Sequence, residues 1–273
     1  MQFDRMELAD IGNPRLMAAA VLKQLPSIEY PIAVEDIALA LEVQRIVDFD
    51  TTAFEGALLA DSAKTTCVIL VREGTHPNRR RFTVGHELGH YLLPLHIPTG
   101  DGFRCSSADM RLQEGAGRGF PAKEIEANIF AAELLMPPAA FKGQLRSRRD
   151  VTLELLLETS AHFGVSLTAC ARRALQLADD TCAVIVSCNR VVESVYRAKE
   201  FPFIGLQRRA RLPRASLSQT FVGLPGDVST VDEADPLDWG IRARQGMTFY
   251  EQALLQSNGW QVTLLVLEDD EED

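Results

Sequence analysis

Apolar and polar residues alternate along this chain with two different periods. "NPRLMAAAVLKQL" carries its apolar residues at helical spacing, with Asn13 placed to cap it and Pro14 at the first position. "PIAVEDIALALE" predicts a second, short helix, and "VQRIVDFD" alternates as a strand does. "AFEGALLA" and "TTCVILVREG" predict a strand pair, the second rich in β-branched residues and ending at Glu73-Gly74. A loop, "THPNRRR", leads into a helix whose stripe of Val84, Leu88, Tyr91 and Leu92 faces a core. From Leu95 to Phe120 the pattern gives way to Gly, Pro, Ser and Asp, a longer irregular stretch than most compact domains carry without a functional reason. "PAKEIEANIFAAELLM" predicts a strong helix, opened by Pro121 and stopped by Pro137-Pro138. "DVTLELLLETSAHFGVSLTACARRALQLAD" reads as helix, turn at Gly164-Val165-Ser166, and helix. After Asp180 the period shortens to that of strands. The last of these flank Ser257-Asn258-Gly259, a hairpin signal, and no internal repeat is visible.

Composition narrows the class. Of the 273 residues 46% are hydrophobic and 24% charged, which is ordinary for a soluble globular protein. No apolar run approaches the roughly 20 residues needed to span a bilayer, so no membrane partner is expected. "MQFDRMELADIGN" shows no secretory signal pattern. The five cysteines are scattered and odd in number, which favours a reducing cytoplasm over a disulfide framework. A net charge of −10 opposes general nucleic-acid affinity, and the tail Glu268–Asp273 reads as a solvated, frayed end. The basic residues gather instead into clusters, Arg79-Arg80-Arg81, Arg146/Arg148/Arg149, Arg172-Arg173 and Arg208/Arg209/Arg211/Arg214, which together leave room for a local anionic partner.

Chemistry enters with "GHELGHYLLPLH". Residues four apart on a helix sit about 40° apart around its axis, so His86 and His90 project side by side and can reach one ion. Glu87 is placed to take a proton from a metal-bound water. Two core histidines with backbone partners would be the plain alternative. Two histidines do not complete a zinc site, and His96, Cys105, Glu126 and Glu133 compete to add to it. His96 has the metzincin spacing, but Leu93, followed by Pro94, stands where that pattern needs a glycine to turn the chain. Glu126 and Glu133 share a helical face but lie about 10 Å apart along it, so only one can ligate. The other could hydrogen-bond a ligand histidine. A His2Glu set leaves a position open for water, as catalytic sites do.

"RRRFTVGHELGHYLL" followed by "EIEANIFAAELLMP" resembles the ImmA/IrrE family of zinc metallopeptidases, over roughly Pro31 to Leu177. The resemblance implies that Glu126, the glutamate of the "EAN" segment, is the third ligand. It implies a gluzincin-like endopeptidase that cleaves a partner helix-turn-helix repressor after stress or DNA damage. Within the family the layout is most similar to the CapP-type peptidases of bacterial antiviral defence islands, which are paired with a CapH-type repressor. The expected architecture is α+β: a zinc peptidase domain over residues 1–145, a helix-turn-helix-like helical pair over 146–179, and a smaller strand-rich domain over 180–273 resembling GAF or PAS sensors. Substrate is expected as an added strand along "TTCVILVRE". Single-stranded DNA or a small molecule is the expected activator. In the helical pair, "SLTACARR" carries its charges late for a DNA-reading helix, which favours packing.

Cys105 lies between the two metal-bearing helices. Its thiolate could occupy the open zinc position and hold the enzyme latent, with Gly100 and Gly102 making release of the loop inexpensive. The rival class is a nucleic-acid- or ligand-binding transcriptional regulator whose zinc is structural.

Overall fold

The computed structural model describes residues 2–98, 102–106, 109, 122–148, 150–242 and 246–269. Most of the irregular stretch before the second metal helix, Gly100, Pro121, Arg149 and the end of the acidic tail lie outside the described residues. The chain divides into two compact units, Met1–Pro138 with Ala161–Ser166, and Ala139–Ser160 with Leu167–Asp273.

In the first unit the Asn13 side chain accepts from the Arg15 and Leu16 backbone N–H groups and so starts α1 (Pro14–Lys23), leaving Met17, Ala18 and Val21 buried. The short α2 (Val34–Ala40) follows, then β1 (Arg45–Phe49), β2 (Gly56–Ala60) and β3 (Cys67–Arg72). Helix α3 (Pro77–Leu92) begins earlier than its apolar stripe predicts, taking in the three arginines expected in a loop. Pro77 sits where its missing N–H costs nothing, and His76 Nδ1 accepts from Asn78 N–H. The short β4 (Phe103–Cys105) and α4 (Ala122–Leu135) complete the unit.

The first sheet has the order β1-β3-β2-β4. The predicted pairing of β2 with β3 is antiparallel, while β1 runs parallel to β3. One expectation fails here. Strand β3, the "TTCVILVRE" segment, is hydrogen-bonded on both sides and has no edge to offer a substrate. The strand beyond it is β2, and its outer edge is taken by β4, with Gly56 opposite Cys105 and Leu58 opposite Phe103.

Helices α3 and α4 pack closely because of a glycine. A Cβ on Gly89 would stand 3.1 Å from Phe130 Cδ1 and 3.2 Å from the Ala127 Cα. No side chain separates the two backbones there. The other face of α4 meets α1, where Arg15 Nε lies 3.4 Å from the buried Glu133 carboxylate.

The second unit holds most of α5 (Pro138–Leu145) and α6 (Leu153–Phe163), all of α7 (Leu167–Leu177), and a five-stranded antiparallel sheet. Its strands are β5 (Thr181–Cys188), β6 (Val191–Arg197), β7 (Asp232–Glu233), β8 (Met247–Leu255) and β9 (Trp260–Asp269), in the order β6-β5-β9-β8-β7, with the four-residue α8 (Leu217–Thr220) between β6 and β7. Ile185, Phe201, Trp239 and Phe249 anchor its core. Strands β8 and β9 turn where expected, with Asn258 and Gly259 at φ of 58° and 76°.

Much of the basic surface expected from the arginine clusters is neutralised internally. Arg79 and Arg72 flank the buried Glu55 at 3.2 and 2.7 Å, and Arg80 pairs with Glu35 at 2.8 Å and with Asp48. Arg81 donates to the backbone carbonyls of Gly164 and Ile32. In the second unit Arg146, Arg148 and Arg208 pair with Asp179, Glu158 and Glu193. The late charges of α7 are also used: Arg172 lies over the Tyr196 ring at 5.3 Å, and Arg173 is buried. Among the described residues, no helix is long and apolar enough to cross a membrane.

The glycine contact yields a stability prediction. Gly89→Leu has to push α4 away from α3 and should cost about 1–3 kcal/mol, the usual range for overpacking. Urea unfolding measures it, and an unchanged midpoint would refute the close-packed account.

Candidate metal centre

His86 and His90 are presented by consecutive turns of α3, and both rings are buried. Their outer nitrogens are occupied. His86 Nδ1 lies 2.9 Å from Asn128 Oδ1, and the same amide donates through Nδ2 to the Asp109 carbonyl at 2.7 Å. The Asn128 oxygen therefore accepts, the His86 proton sits on Nδ1, and its Nε2 presents a lone pair inward. His90 Nδ1 lies 2.9 Å from His96 Nδ1, which leaves His90 Nε2 facing the same space. Burial pushes His90 down to about 3, so its ring is neutral.

Two further atoms close that space. One is Cys105 Sγ, delivered by β4, whose placement is set by Glu55 N–H donating to the Cys105 carbonyl at 2.9 Å. The other is Glu124 Oε2, from the first turn of α4. Glu124 is not among the candidates that sequence spacing singled out. His86 Nε2 lies 3.1 Å from His90 Nε2, from Cys105 Sγ and from Glu124 Oε2. The remaining separations are 3.3 Å for Cys105 to Glu124, 3.4 Å for His90 to Glu124 and 3.7 Å for His90 to Cys105.

Six edges of such similar length describe a near-regular tetrahedron. Its centre lies about 1.9–2.3 Å from every corner, which spans the bond lengths zinc makes to nitrogen, oxygen and sulfur. The chemistry of the corners agrees. Two imidazole lone pairs, a sulfur and a carboxylate oxygen repel one another unless a cation or protons stand among them. Burial, together with the Glu87 and Glu124 charges, pushes the Cys105 thiol far up, so a thiolate there needs a metal to stabilise it. The donor set fits a zinc-sized ion.

Glu87 is buried, and among the described residues its carboxylate makes no hydrogen bond of good geometry, with the Cys105 thiol the neighbour near enough to interact with it. Burial raises its pKa to about 7. An ionisable group left this way is costly in an ordinary core, where buried carboxylates are paired.

The other candidates are accounted for. Glu126, which the family resemblance nominated as third ligand, does not reach the cluster, and its Oε2 lies 2.8 Å from His96 Nε2. Glu126 sits about 200° around α4 from Glu124, so the two cannot face the same atom group. His96 stands behind His90 and away from the tetrahedron. Glu133 faces Arg15. Glu124 and Asn128 were legible in principle, because they are four apart and so share a face, by the same rule that singled out the histidine pair.

The packing of β4 predicts thiol reactivity in the metal-free chain. Cys67, Cys105, Cys170 and Cys182 are buried free thiols and Cys188 is half-buried. A disulfide reagent should modify Cys188 first and reach Cys105 only on unfolding. Rapid labelling of Cys105, followed by peptide mapping, would contradict the docking of β4 on β2.

No curated protein sequence matches the chain. Among solved structures, a Mycobacterium tuberculosis transcriptional regulator is similar, with a TM-score of 0.57 over 97% of this chain and 82% of that one. At 12% identity that similarity concerns the fold alone. Residues 42–175, which include α3, β4 and α4, match the family model described as the IrrE N-terminal-like domain, a peptidase family. Over those residues the chain therefore carries a peptidase domain of the ImmA/IrrE family.

Proposed function

We propose that this chain is a zinc metalloendopeptidase that cleaves a partner transcriptional repressor and is held latent by Cys105. The observation that carries the reading is the donor tetrahedron of His86, His90, Glu124 and Cys105 beside the buried Glu87 carboxylate, which no cation offsets among the described residues. Three of these donors form the His2Glu set of catalytic zinc sites, with Glu124 in the role the resemblance gave Glu126. Bound zinc supplies Lewis acidity toward the scissile carbonyl and the attacking water. Glu87 takes the water's proton on its free carboxylate and returns it to the leaving amine. Asn128 holds the His86 ring in the tautomer that faces the site.

Cys105 fills the fourth corner, where water would otherwise stand. Strand β4 brings it there by pairing with β2, and Phe103, two residues earlier and on the same face, stacks on His90 with ring centroids 4.3 Å apart. Gly102 supports the docking. Its φ is 105°, and a Cβ on it would strike the Leu58 carbonyl oxygen at 2.0 Å, so no other residue fits there without moving β4. Release of β4 would open the coordination position and also bare the edge of β2, along which an extended substrate could add as a strand.

Family membership and the regulator fold of the structural neighbour support a helix-turn-helix repressor as substrate, cleaved in response to stress, DNA damage or phage infection. Single-stranded DNA or a small molecule acting on the strand-rich unit, which we take as GAF- or PAS-like, is the proposed trigger. That unit has a cavity of about 200 Å³ lined in part by Val151, Thr152, Val231, Tyr250 and Leu264, which is below the roughly 300–1,000 Å³ of typical ligand sites. It admits a small effector only. A reducing compartment such as the cytoplasm keeps the Cys105 thiol available.

A second reading rests on the same tetrahedron. Four protein donors with no open position are the form of a structural zinc site in a regulator. Glu87 argues against it, because a structural site has no use for a buried carboxylate without a cationic partner standing beside the donors.

Two variants separate the readings. Glu87→Gln should retain stoichiometric zinc and lower cleavage of the repressor by about 10²–10⁴-fold, the range for losing a general base. Turnover at the wild-type rate would refute the mechanism. Cys105→Ala should keep zinc through the other three ligands and cleave the repressor without a trigger. If it loses zinc and gains no activity, the structural-zinc reading prevails.

A further inference from the structure

We infer that His96 and Glu126 form a positioning pair that fixes the proton of His90 on Nδ1 and so holds its Nε2 ready for the metal. The inference rests on the zinc site proposed above and adds to it two residues outside the donor set. Three groups stand in line: His90 Nδ1 is 2.9 Å from His96 Nδ1, and His96 Nε2 is 2.8 Å from Glu126 Oε2. Two ring nitrogens at that separation share one proton, and either ring could in principle supply it. Glu126 decides which. An ionised carboxylate only accepts, so it draws the His96 proton onto Nε2. His96 Nδ1 is then a lone pair, the proton between the rings belongs to His90 Nδ1, and His90 Nε2 is bare. The opposite arrangement would put a proton on His90 Nε2, among the donor atoms, where it would exclude a cation.

The chain is built to hold this line. Lys64 Nζ donates to the carbonyls of His90 and Leu93, both at 2.7 Å, which caps the end of α3. Leu93 leaves the helix in an extended conformation, and a turn from His96 N–H to the Leu93 carbonyl, 3.1 Å, brings His96 back against the outer side of His90. His96 is fully buried, and the Glu126 side chain, 40% exposed, ends the line at the surface. The two ligand rings are therefore oriented by different chemistry. His86 relies on the neutral amide of Asn128, and His90 on a carboxylate acting through a second imidazole.

Outer partners of ligand histidines are typically worth about 10–100-fold in metal affinity. The experiment is zinc affinity by chelator competition for the full chain and three variants, with ¹⁵N NMR of histidine-labelled, zinc-loaded protein. His96→Leu leaves the His90 Nδ1–H without an acceptor and should weaken zinc by about 10–100-fold, with loss of the protected His90 Nδ1–H signal. His96→Gln offers an amide oxygen in the same direction and should recover most of the affinity. Glu126→Gln, at a partly exposed site that tolerates change, can donate as well as accept, so it should weaken zinc by an intermediate factor. Should His96→Leu fail to fold, the other two variants carry the test. If the wild type binds zinc and the folded variants match it, with the same His90 signal, the positioning role is overturned and the zinc site stands. A wild type that binds no zinc overturns both.

Discussion

Everything at the candidate centre depends on how closely α3 and α4 approach. The two histidines are set side by side by helix geometry alone, but the remaining donors come from segments well separated in sequence. With Gly89 against Ala127 and Phe130, α4 lies near enough for its first turns to bring Glu124 to the inner nitrogens and Asn128 to the outer nitrogen of His86. A larger residue at position 89 would move both together. The helix contact and the donor geometry are in this sense one constraint, and the glycine inside the His-Glu-Leu-Gly-His motif serves packing where its neighbours serve chemistry.

Local pattern carried the first unit's elements because they are locally determined. Asn13 and Pro14 start α1 as their chemistry requires, and the alternation of "VQRIVDF" and "TCVILVR" produces strands. Which strand lies in the middle was not legible, because strand order is set by long-range pairing. Only the structure places β3 between β1 and β2 and closes it to substrate. The partners of the arginine clusters are a similar case. Sequence displays charge but not the buried Glu55 between Arg72 and Arg79, nor the backbone carbonyls that Arg81 meets.

At the site, the structure brings the predicted histidine pair together, and of the α4 glutamates it places Glu124 rather than Glu126 against their inner nitrogens. Three glutamates on α4 offered themselves, and periodicity alone cannot say which face of a largely apolar helix meets α3. The buried row of Ala127, Phe130, Ala131 and Leu134 settles it after the fact, and Glu124 with Asn128 lies along that row's leading end. Glu126 and His96, each considered as a ligand on its own, turn out to be partners of one another. Their spacings were suited to the metal site, one layer out from the ion.

In the proposed mechanism, strand β4 makes latency and substrate access two aspects of one contact. There, an inhibitor that supplied only a thiolate would leave the β2 edge free, and substrate could bind without being cut. One that covered only the edge would leave the fourth coordination position to water. Here Cys105 and Phe103 lie on one face of the same short strand, the first among the donor atoms and the second stacked on His90, while the main chain of that strand occupies β2. The strand pairs with β2 over three residues, entered through Gly102 at a positive φ that leaves no room for a side chain. In that mechanism a signal that breaks so short a pairing has little hydrogen bonding to overcome, and it would free both the fourth donor position and the β2 edge in a single step.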